Sequence, residues 1–385
     1  MKKKICIATG TRAEYGLLNS LMSLIKKDKS FELQIVATAM HLSPEFGMTI
    51  NEIEKDGFRV NEKIEMLLSA DTDTAIVKAM GLAMITASEV FKRQKPDLLI
   101  ILGDRFEMMA LATSAYLMNI PIAHIAGGET TEGVFDEGIR HSITKMSSLH
   151  FASAEIYKKR IIQLGENPKT VFNVGAIGLD NIKNVKLFSR KELEADLELS
   201  FEGKAALVTF HPVTLEKETP QKQFSKVLNA LEKFPDLKLI FTMPNSDTGG
   251  REIIEMVKKF TSIRSNAYAF TNLGQKRYLS VLNQVDLVIG NSSSGIVEVP
   301  FMGIPTINIG DRQKGRIMNE SIINTTCETS TIAVAIKKAL SKKRNSGKTK
   351  NPYGNGTAAM QILQTIRKNI NNISTKKKFY DTVSK

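Results

Sequence analysis

In this chain the polar residues with chemical potential stand directly after apolar, strand-like runs. Residues 285–299, VDLVIGNSSSGIVEV, pass from a buried run through a Gly-Asn-Ser-Ser-Ser-Gly turn into a helical period. Free backbone N–H groups and the helix dipole meet at such a turn, which suits an anion such as a phosphate. Ser292, Ser293 and Ser294 can add hydroxyl donors there. Glu298 lies four residues after Ser294, on the same helix face one turn further in. An ionised carboxylate only accepts hydrogen bonds, so its natural partner is a diol such as ribose. Phosphate donors followed by a diol acceptor read as a nucleotide site. The plain alternative is a Ser-rich helix cap that binds nothing.

A second set of residues is acidic. Asp104 and Arg105 follow the apolar run 98–102 and a glycine, and the commonest reason for such an aspartate is a helix N-cap. Glu129 follows a Gly-Gly turn after the run 122–125. Asp136, Glu137, Arg140 and His141 open a helix, with Asp136 and Arg140 spaced as an ordinary i,i+4 ion pair. Capping and pairing leave unexplained why these strand-end loops together carry three acidic groups, Asp104, Glu129 and Asp136. Carboxylates crowded together there would raise one another's pKa and act as acid and base near neutrality.

Further candidates surround these. Arg12 in ATGTRAEYG (8–16) lacks the setting of a P-loop or a dinucleotide fingerprint. It is either a phosphate partner through its planar fork or an ion pair with Glu14. His211 follows an apolar run and precedes Pro212, which keeps it extended. It is either a satisfied core histidine or a donor and proton shuttle beside a diphosphate. His41, His124, His141 and His150 have weaker cases, and nothing shows metal-ligand spacing. Asn245, in MPNSDTGG (243–250), lies on another strand-end loop. Asn272, Leu273 and Gly274 precede the phosphate turn, where their backbone can read a base edge. Arg312 and Arg316 are candidate phosphate or domain-closing groups.

Short β-rich runs alternating with helical segments are needed to position these residues. Strands are expected at 5–9, 33–38, 98–102, 122–125, 150–152 and 171–174. A second set is expected at 205–210, 238–243, 268–271, 287–289 and 306–309. This pattern predicts two doubly wound Rossmann-like α/β domains facing a cleft, with the ligand at the carboxyl ends of the strands. The expected division is 1–177, carrying the carboxylates; 178–356, holding the nucleotide; 357–372, a helix packing back on the first domain; and 373–385, a polar tail.

Composition narrows the class. The 385 residues are 42% hydrophobic and 24% charged, ordinary for a soluble protein large enough for two domains. Apolar runs such as 98–102 are too short to span a bilayer, and the run after Lys2–Lys4 is too short for a signal peptide. Cys6 and Cys327 stand far apart, which predicts no disulfide framework, no metal cluster and a cytoplasmic location. Much of the net charge of +13 falls in 337–350 and 374–380. With no Trp and no aromatics interleaved with basic residues on strands, this charge reads as solvated surface. Neither a nucleic-acid nor a membrane partner is expected.

The motifs GTRAEYGLL, LGDRFE, HIAGGET, DEGIRHSITKMS, FHP, GNSSSGIVEVP and NIGDRQKGR occur in this order between about residues 3 and 370. In that combination the chain resembles the hydrolysing UDP-N-acetylglucosamine 2-epimerases of bacterial sialic acid synthesis. The resemblance implies the glycosyltransferase-B architecture, no cofactor, and a homodimer or homotetramer. It implies conversion of UDP-N-acetylglucosamine and water to N-acetylmannosamine and UDP through a 2-acetamidoglucal. Asp104, Glu129 and Asp136 would be the catalytic carboxylates, with His211 near the diphosphate. Ser292 and Ser293 would bind phosphate, Glu298 the ribose, and Arg12, Arg105 and Arg312 would help hold the nucleotide. A sister branch acts on UDP-2,4-diacetamido-trideoxy sugars, and the segment TTEGVFDEG after Glu129 leaves that branch open. A glycosyltransferase or a UDP-sugar binding protein are the rivals. Neither needs this set of first-domain carboxylates.

Overall fold

The computed structural model describes residues 2–69, 72–131, 135–213, 218–244, 250–271, 273–342 and 351–382. The chain forms two compact units. The first comprises Met1–Glu129, Phe135–Asn181 and Tyr353–Lys385, and the second Thr130–Val134 and Ile182–Pro352.

The first unit is built on β1 (Lys3–Thr9), β2 (Phe31–Thr38), β3 (Glu62–Ile64), β4 (Leu98–Leu102), β5 (Ile122–Ile125), β6 (Leu149–Ala152) and β7 (Val171–Asn173). They form a parallel sheet in the order β3-β2-β1-β4-β5-β6-β7. Its helices are α1 (Arg12–Lys27), α2 (Ile50–Lys55), α3 (Asp73–Gln94), α4 (Phe106–Leu117), α5 (Asp136–Met146) and α6 (Glu155–Gln163). All five residues of β4, LLIIL, are buried, as a parallel strand covered on both faces requires.

After α7 (Gly178–Asn184) and α8 (Arg190–Leu197) comes the second sheet. Its strands are β8 (Ala205–Thr209), β9 (Lys238–Thr242), β10 (Ala267–Phe270), β11 (Leu287–Gly290), β12 (Thr306–Ile309) and β13 (Ile322–Thr325). They too are parallel, in the order β10-β9-β8-β11-β12-β13. The helices are α9 (Pro220–Leu231), α10 (Gly250–Ser262), α11 (Gly274–Gln284), α12 (Ser294–Phe301) and α13 (Thr329–Ser341). The last helix, α14 (Ala358–Asn369), belongs to the first unit.

Among the described residues every strand expected from sequence is present to within two residues at either end. Two edge strands, β3 and β13, are additional. Neither carries an apolar run, because an edge strand exposes one side and tolerates charge and polarity there. In each sheet the order reverses beside the first strand, between β1 and β4 and between β8 and β11. Such a switch point opens a crevice at the strands' carboxyl ends.

Tertiary contacts supply what local signals leave open. Ile362, Leu363 and Ile366 of α14 join the core made by Leu18, Leu21 and Ile25 of α1 with the sheet. The α14 N-terminus is capped from a distance: buried Asp180 accepts from the N–H groups of Ala358 and Ala359, each at 2.9 Å. Helix α3 is long and apolar enough, by length and composition, to cross a membrane. Its Ala79, Ala83 and Ala87 pack in the first unit's second core with α4. Segment 374–380 is bound to its unit: Tyr380 N–H donates to the Gly165 carbonyl at 2.9 Å, and Lys377 Nζ reaches Glu166 at 2.7 Å.

Four of the five histidines are buried: His41, His124, His150 and His211. Burial depresses the pKa of all four from the ordinary 6.5, to about 4 for His41 and about 3 for His124 and His211. Below pH 6.5 the unfolded chain therefore binds protons that the folded chain refuses, so stability is full above that pH and drains away as pH falls. Glu14 opposes this. Burial, then the charge of Glu107, lifts its carboxyl to about 8, withdrawing stability as pH rises from 4.5 toward 8. Four groups outweigh one. Denaturant unfolding should show stability falling from pH 7 to pH 5, by up to about 1.4 kcal/mol per pH unit for each histidine. A flat profile over that range would show that the imidazoles are open to water.

Candidate active site

In the first unit the residues of interest lie in the loops after β1, β4 and β5 and on the first turns of α5. Arg140, 2% exposed, organises them. Its Nη1 donates to the Glu129 carbonyl at 2.8 Å and to Glu137 Oε2 at 2.7 Å. Its Nη2 donates to Asp104 Oδ2. One guanidinium thus joins the β4 loop, the β5 loop and α5. A guanidinium accepts nothing and does not release its proton in proteins, so it orients these groups and leaves proton transfer to the carboxylates.

Each carboxylate has its own support. Ser153 Oγ donates to Glu129 Oε1 at 2.6 Å. His141 Nε2 lies 3.0 Å from Glu137 Oε1, one turn along the helix. Asp136 occupies the first turn of α5, where the helix dipole favours a negative charge. The ordinary expectation for Asp104, a helix cap, does not describe it. The N-cap position of α4 is Arg105, which makes no side-chain cap bond.

His124 stands behind the Asp104 turn. Its Nε2 is 2.7 Å from the Gly103 carbonyl, which only accepts, so Nε2 carries the proton and Nδ1 faces the Thr144 hydroxyl at 3.1 Å. Gly128, with φ 76°, holds the β5 loop against α6, where a Cβ would fall 2.4 Å from the Tyr157 carbonyl. The turn therefore requires glycine.

The arginines are held in defined poses. Arg12 Nε donates to Glu52 Oε2 at 2.5 Å. Glu14, the ion-pair partner offered by sequence, instead closes a capping box: its Oε2 accepts from the N-cap Thr11 N–H at 3.2 Å, and also from Gly10 N–H at 2.7 Å, while the Glu14 N–H donates to Thr11 Oγ1 at 3.2 Å. Arg105 Nε donates at 2.5 Å to Glu107 Oε1, whose side chain is fully buried.

In the second unit the loops after β8, β11 and β12 carry the candidates. Ser293 is the N-cap of α12 and Ser294 its first residue. The Ser294 hydroxyl lies 2.6 Å from the hydroxyl of Tyr278, a contact invisible in sequence. Glu298 is half-buried on the same face, and Tyr278 feels its charge. His211 is buried, and desolvation, then the Arg312 charge, lower its pKa to about 3, which leaves the imidazole neutral near pH 7. Arg312 Nη1 donates to the Asn291 carbonyl at 3.1 Å. Leu273 is buried at the N-cap of α11, and Gly274 follows with φ 66°. Asn245 and Asn272 lie outside the described residues. Among the described residues no group of three His, Cys, Asp or Glu is arranged to hold a metal ion.

Sequence spacing reads Arg140 as one half of an i,i+4 ion pair with Asp136. It missed Ser153, Tyr278 and Asn291 altogether. The signal for Arg140 was its spacing from Glu137 and its place in a strand-end helix. The other three face their partners only in the folded chain.

The family model described as UDP-N-acetylglucosamine 2-epimerase matches residues 23–367. A Campylobacter jejuni protein, GDP/UDP-N,N'-diacetylbacillosamine 2-epimerase (hydrolyzing), is 46% identical over 96% of this chain and 96% of its own. Polysialic acid biosynthesis protein P7 of Escherichia coli is 37% identical over 98% of this chain and 97% of its own. The structure of a UDP-GlcNAc 2-epimerase from Neisseria meningitidis, bound to UDP-GlcNAc, aligns with TM-score 0.81 over 95% of this chain and 100% of that one. At 18% identity that last likeness is one of fold. Two parallel doubly wound sheets, their order, and a family match over most of the length agree: the chain belongs to the UDP-N-acetylglucosamine 2-epimerase family.

Proposed function

We propose that this protein is a hydrolysing 2-epimerase. It takes a UDP-activated 2-acetamido sugar and water and releases UDP and the free sugar epimerised at carbon 2. The observation that carries this reading is the Arg140 cluster, which joins Asp104, Glu137 and the Glu129 main chain on one buried cation. A nucleotide-binding protein or a simple transferase has no need of such a cluster.

The chemistry follows from the residue types. Departure of UDP from the anomeric carbon leaves an oxocarbenium-like centre, which acidifies the proton on carbon 2. One carboxylate removes that proton to give a 2-acetamidoglucal. Water then adds to the anomeric carbon while a second acid delivers a proton to the opposite face of carbon 2. Asp104, Glu129 and Asp136 are the groups proposed for these transfers, and Glu137 joins them through its bond to Arg140. The Ser292–Ser293–Ser294 turn, His211 and Arg312 stabilise the departing diphosphate, and Glu298 takes the ribose diol. Arg12 and Arg105 serve the nucleotide end.

Two sugars are in play. UDP-N-acetylglucosamine, leading to N-acetylmannosamine for sialic acid synthesis, accords with the 37% identity to a polysialic acid biosynthesis protein. UDP-N,N'-diacetylbacillosamine is the second reading, favoured by the 46% identity to the Campylobacter enzyme named for it.

Incubation in heavy water should yield UDP and a free sugar with deuterium at carbon 2. A free sugar of unchanged configuration without deuterium would mean plain hydrolysis and would overturn the proposal. Kinetics with both nucleotide sugars should show a preference for one by about 10²-fold or more in kcat/KM, since a pocket built for a 4-acetamido group leaves polar groups unpaired around a 4-hydroxyl. Turnover of neither would remove the activity altogether.

Substitutions test the cluster. Asp104→Asn, Glu129→Gln and Asp136→Asn should each lower turnover by about 10²-fold or more, with UDP affinity retained. Arg140→Lys keeps a charge but loses the fork that reaches several acceptors, and should cost about 10²-fold in turnover through misplacement. Full activity in Arg140→Lys, measured beside calorimetric UDP binding, would show that the buried fork does not set the carboxylate geometry.

A further inference from the structure

Asn291 is 1% exposed and follows directly on β11. That strand ends at Gly290, where φ is 144° and a Cβ would fall 1.8 Å from the Thr209 carbonyl. Only glycine lets β11 run so close to β8 at this point. The next side chain then extends the ladder by one step. The His211 N–H donates to Asn291 Oδ1 at 2.7 Å, and Asn291 Nδ2 donates to the His211 carbonyl at 2.8 Å. A primary amide offers a donor and an acceptor side by side, as a peptide group does, so it can replace a strand neighbour. The Asn291 carbonyl also receives two side chains, Arg312 Nη1 at 3.1 Å and Gln313 Nε2 at 2.9 Å.

We propose that Asn291 is the positioning residue for a nucleoside diphosphate. It fixes His211 and Arg312 relative to the Ser292–Ser294 turn, so that the diphosphate meets a donor set already in place. The inference rests on the UDP-sugar reading above and deepens it. Neither Asp nor Ala can stand in. Aspartate keeps the acceptor for the His211 N–H but turns an oxygen toward the His211 carbonyl, and alanine loses both bonds.

Three full-length variants test this: Asn291→Ala, His211→Ala and the double variant. Each is measured for UDP binding by calorimetry, for turnover and for melting temperature. Asn291→Ala should weaken UDP binding by about tenfold through the lost buried pair. In the His211→Ala background the same change should cost clearly less, since part of its effect runs through His211. A purely structural role would give equal losses in both backgrounds, and that result overturns the proposal. So does unchanged UDP affinity in Asn291→Ala. If the alanine variant fails to fold, Asn291→Asp, of equal size, replaces it in the same cycle. The two readings fail separately. An inactive wild type whose UDP affinity still depends on Asn291 sinks the epimerase reading alone. An active wild type whose UDP affinity does not depend on Asn291 sinks the positioning role alone.

Discussion

A guanidinium that is 2% exposed is expensive to bury unless fixed acceptors meet its donors, and this condition shapes the first unit. Arg140 meets it with groups from three places in the chain: Asp104 after β4, Glu129 after β5 and Glu137 on its own helix. Moving any of these loops outward would strand a charge. The loops are therefore held by the cost of that failure as much as by their own turns. Ser153 on Glu129 and the His124–Gly103 bond then fix details within a frame already set.

The second unit solves a related problem with little charge. Its strand-end loops present hydroxyls, a neutral imidazole, a helix N-terminus and the cation Arg312. Preorganised neutral donors cost less to bury than a row of cations would. They also strengthen as negative charge develops on an oxygen. For the proposed reaction, in which a diphosphate is held and then released as product, that is a suitable balance. The contrast follows the division of labour in the proposed reaction: proton transfer needs carboxylates, whereas leaving-group departure needs donors.

Much of this could be read in the sequence, and the limits have identifiable causes. Buried parallel strands announce themselves as apolar runs, so β4, β8 and β11 were legible, and the polar residues following them marked the candidate loops. β3 and β13 were not legible, since three or four half-polar residues at a sheet edge carry no period. Asp104 read as a cap because local spacing cannot show that Arg140, 36 residues on, arrives beneath it. Arg12 faced two candidates, and the structure pairs it with Glu52, 40 residues away, while nearby Glu14 bonds the backbone. Sequence reasoning recognises residue types suited to a chemistry. It does not assign their partners, even within one helical turn, as Arg12 and Glu14 show.

The segment 374–380 shows the same limit acting on charge. Its lysines read as solvated, and Lys376 and Lys378 are exposed. Lys377, between them, reaches a carboxylate that is 2% exposed: Glu166, which also accepts from Lys145 and lies 3.1 Å from His150 Nε2. Burial alone would raise the Glu166 pKa, but the bonds from His150, Lys145 and Lys377 outweigh it and hold it near 2. Two cations and one anion already leave the cluster positive, and burial lowers the pKa of His150, so a neutral imidazole there avoids a third positive charge. Lys145 is in the last turn of α5, where a cation also suits the helix dipole. The helix carrying Asp136, Glu137 and Arg140 is thus anchored at both ends by ion pairs, Arg140 with Asp104 and Lys145 with Glu166, and Lys377 also donates to the carbonyl of its C-cap residue Ser147 at 2.8 Å. A helix so held has little freedom to rotate, and the proposed acid–base catalysis would require that of its carboxylates.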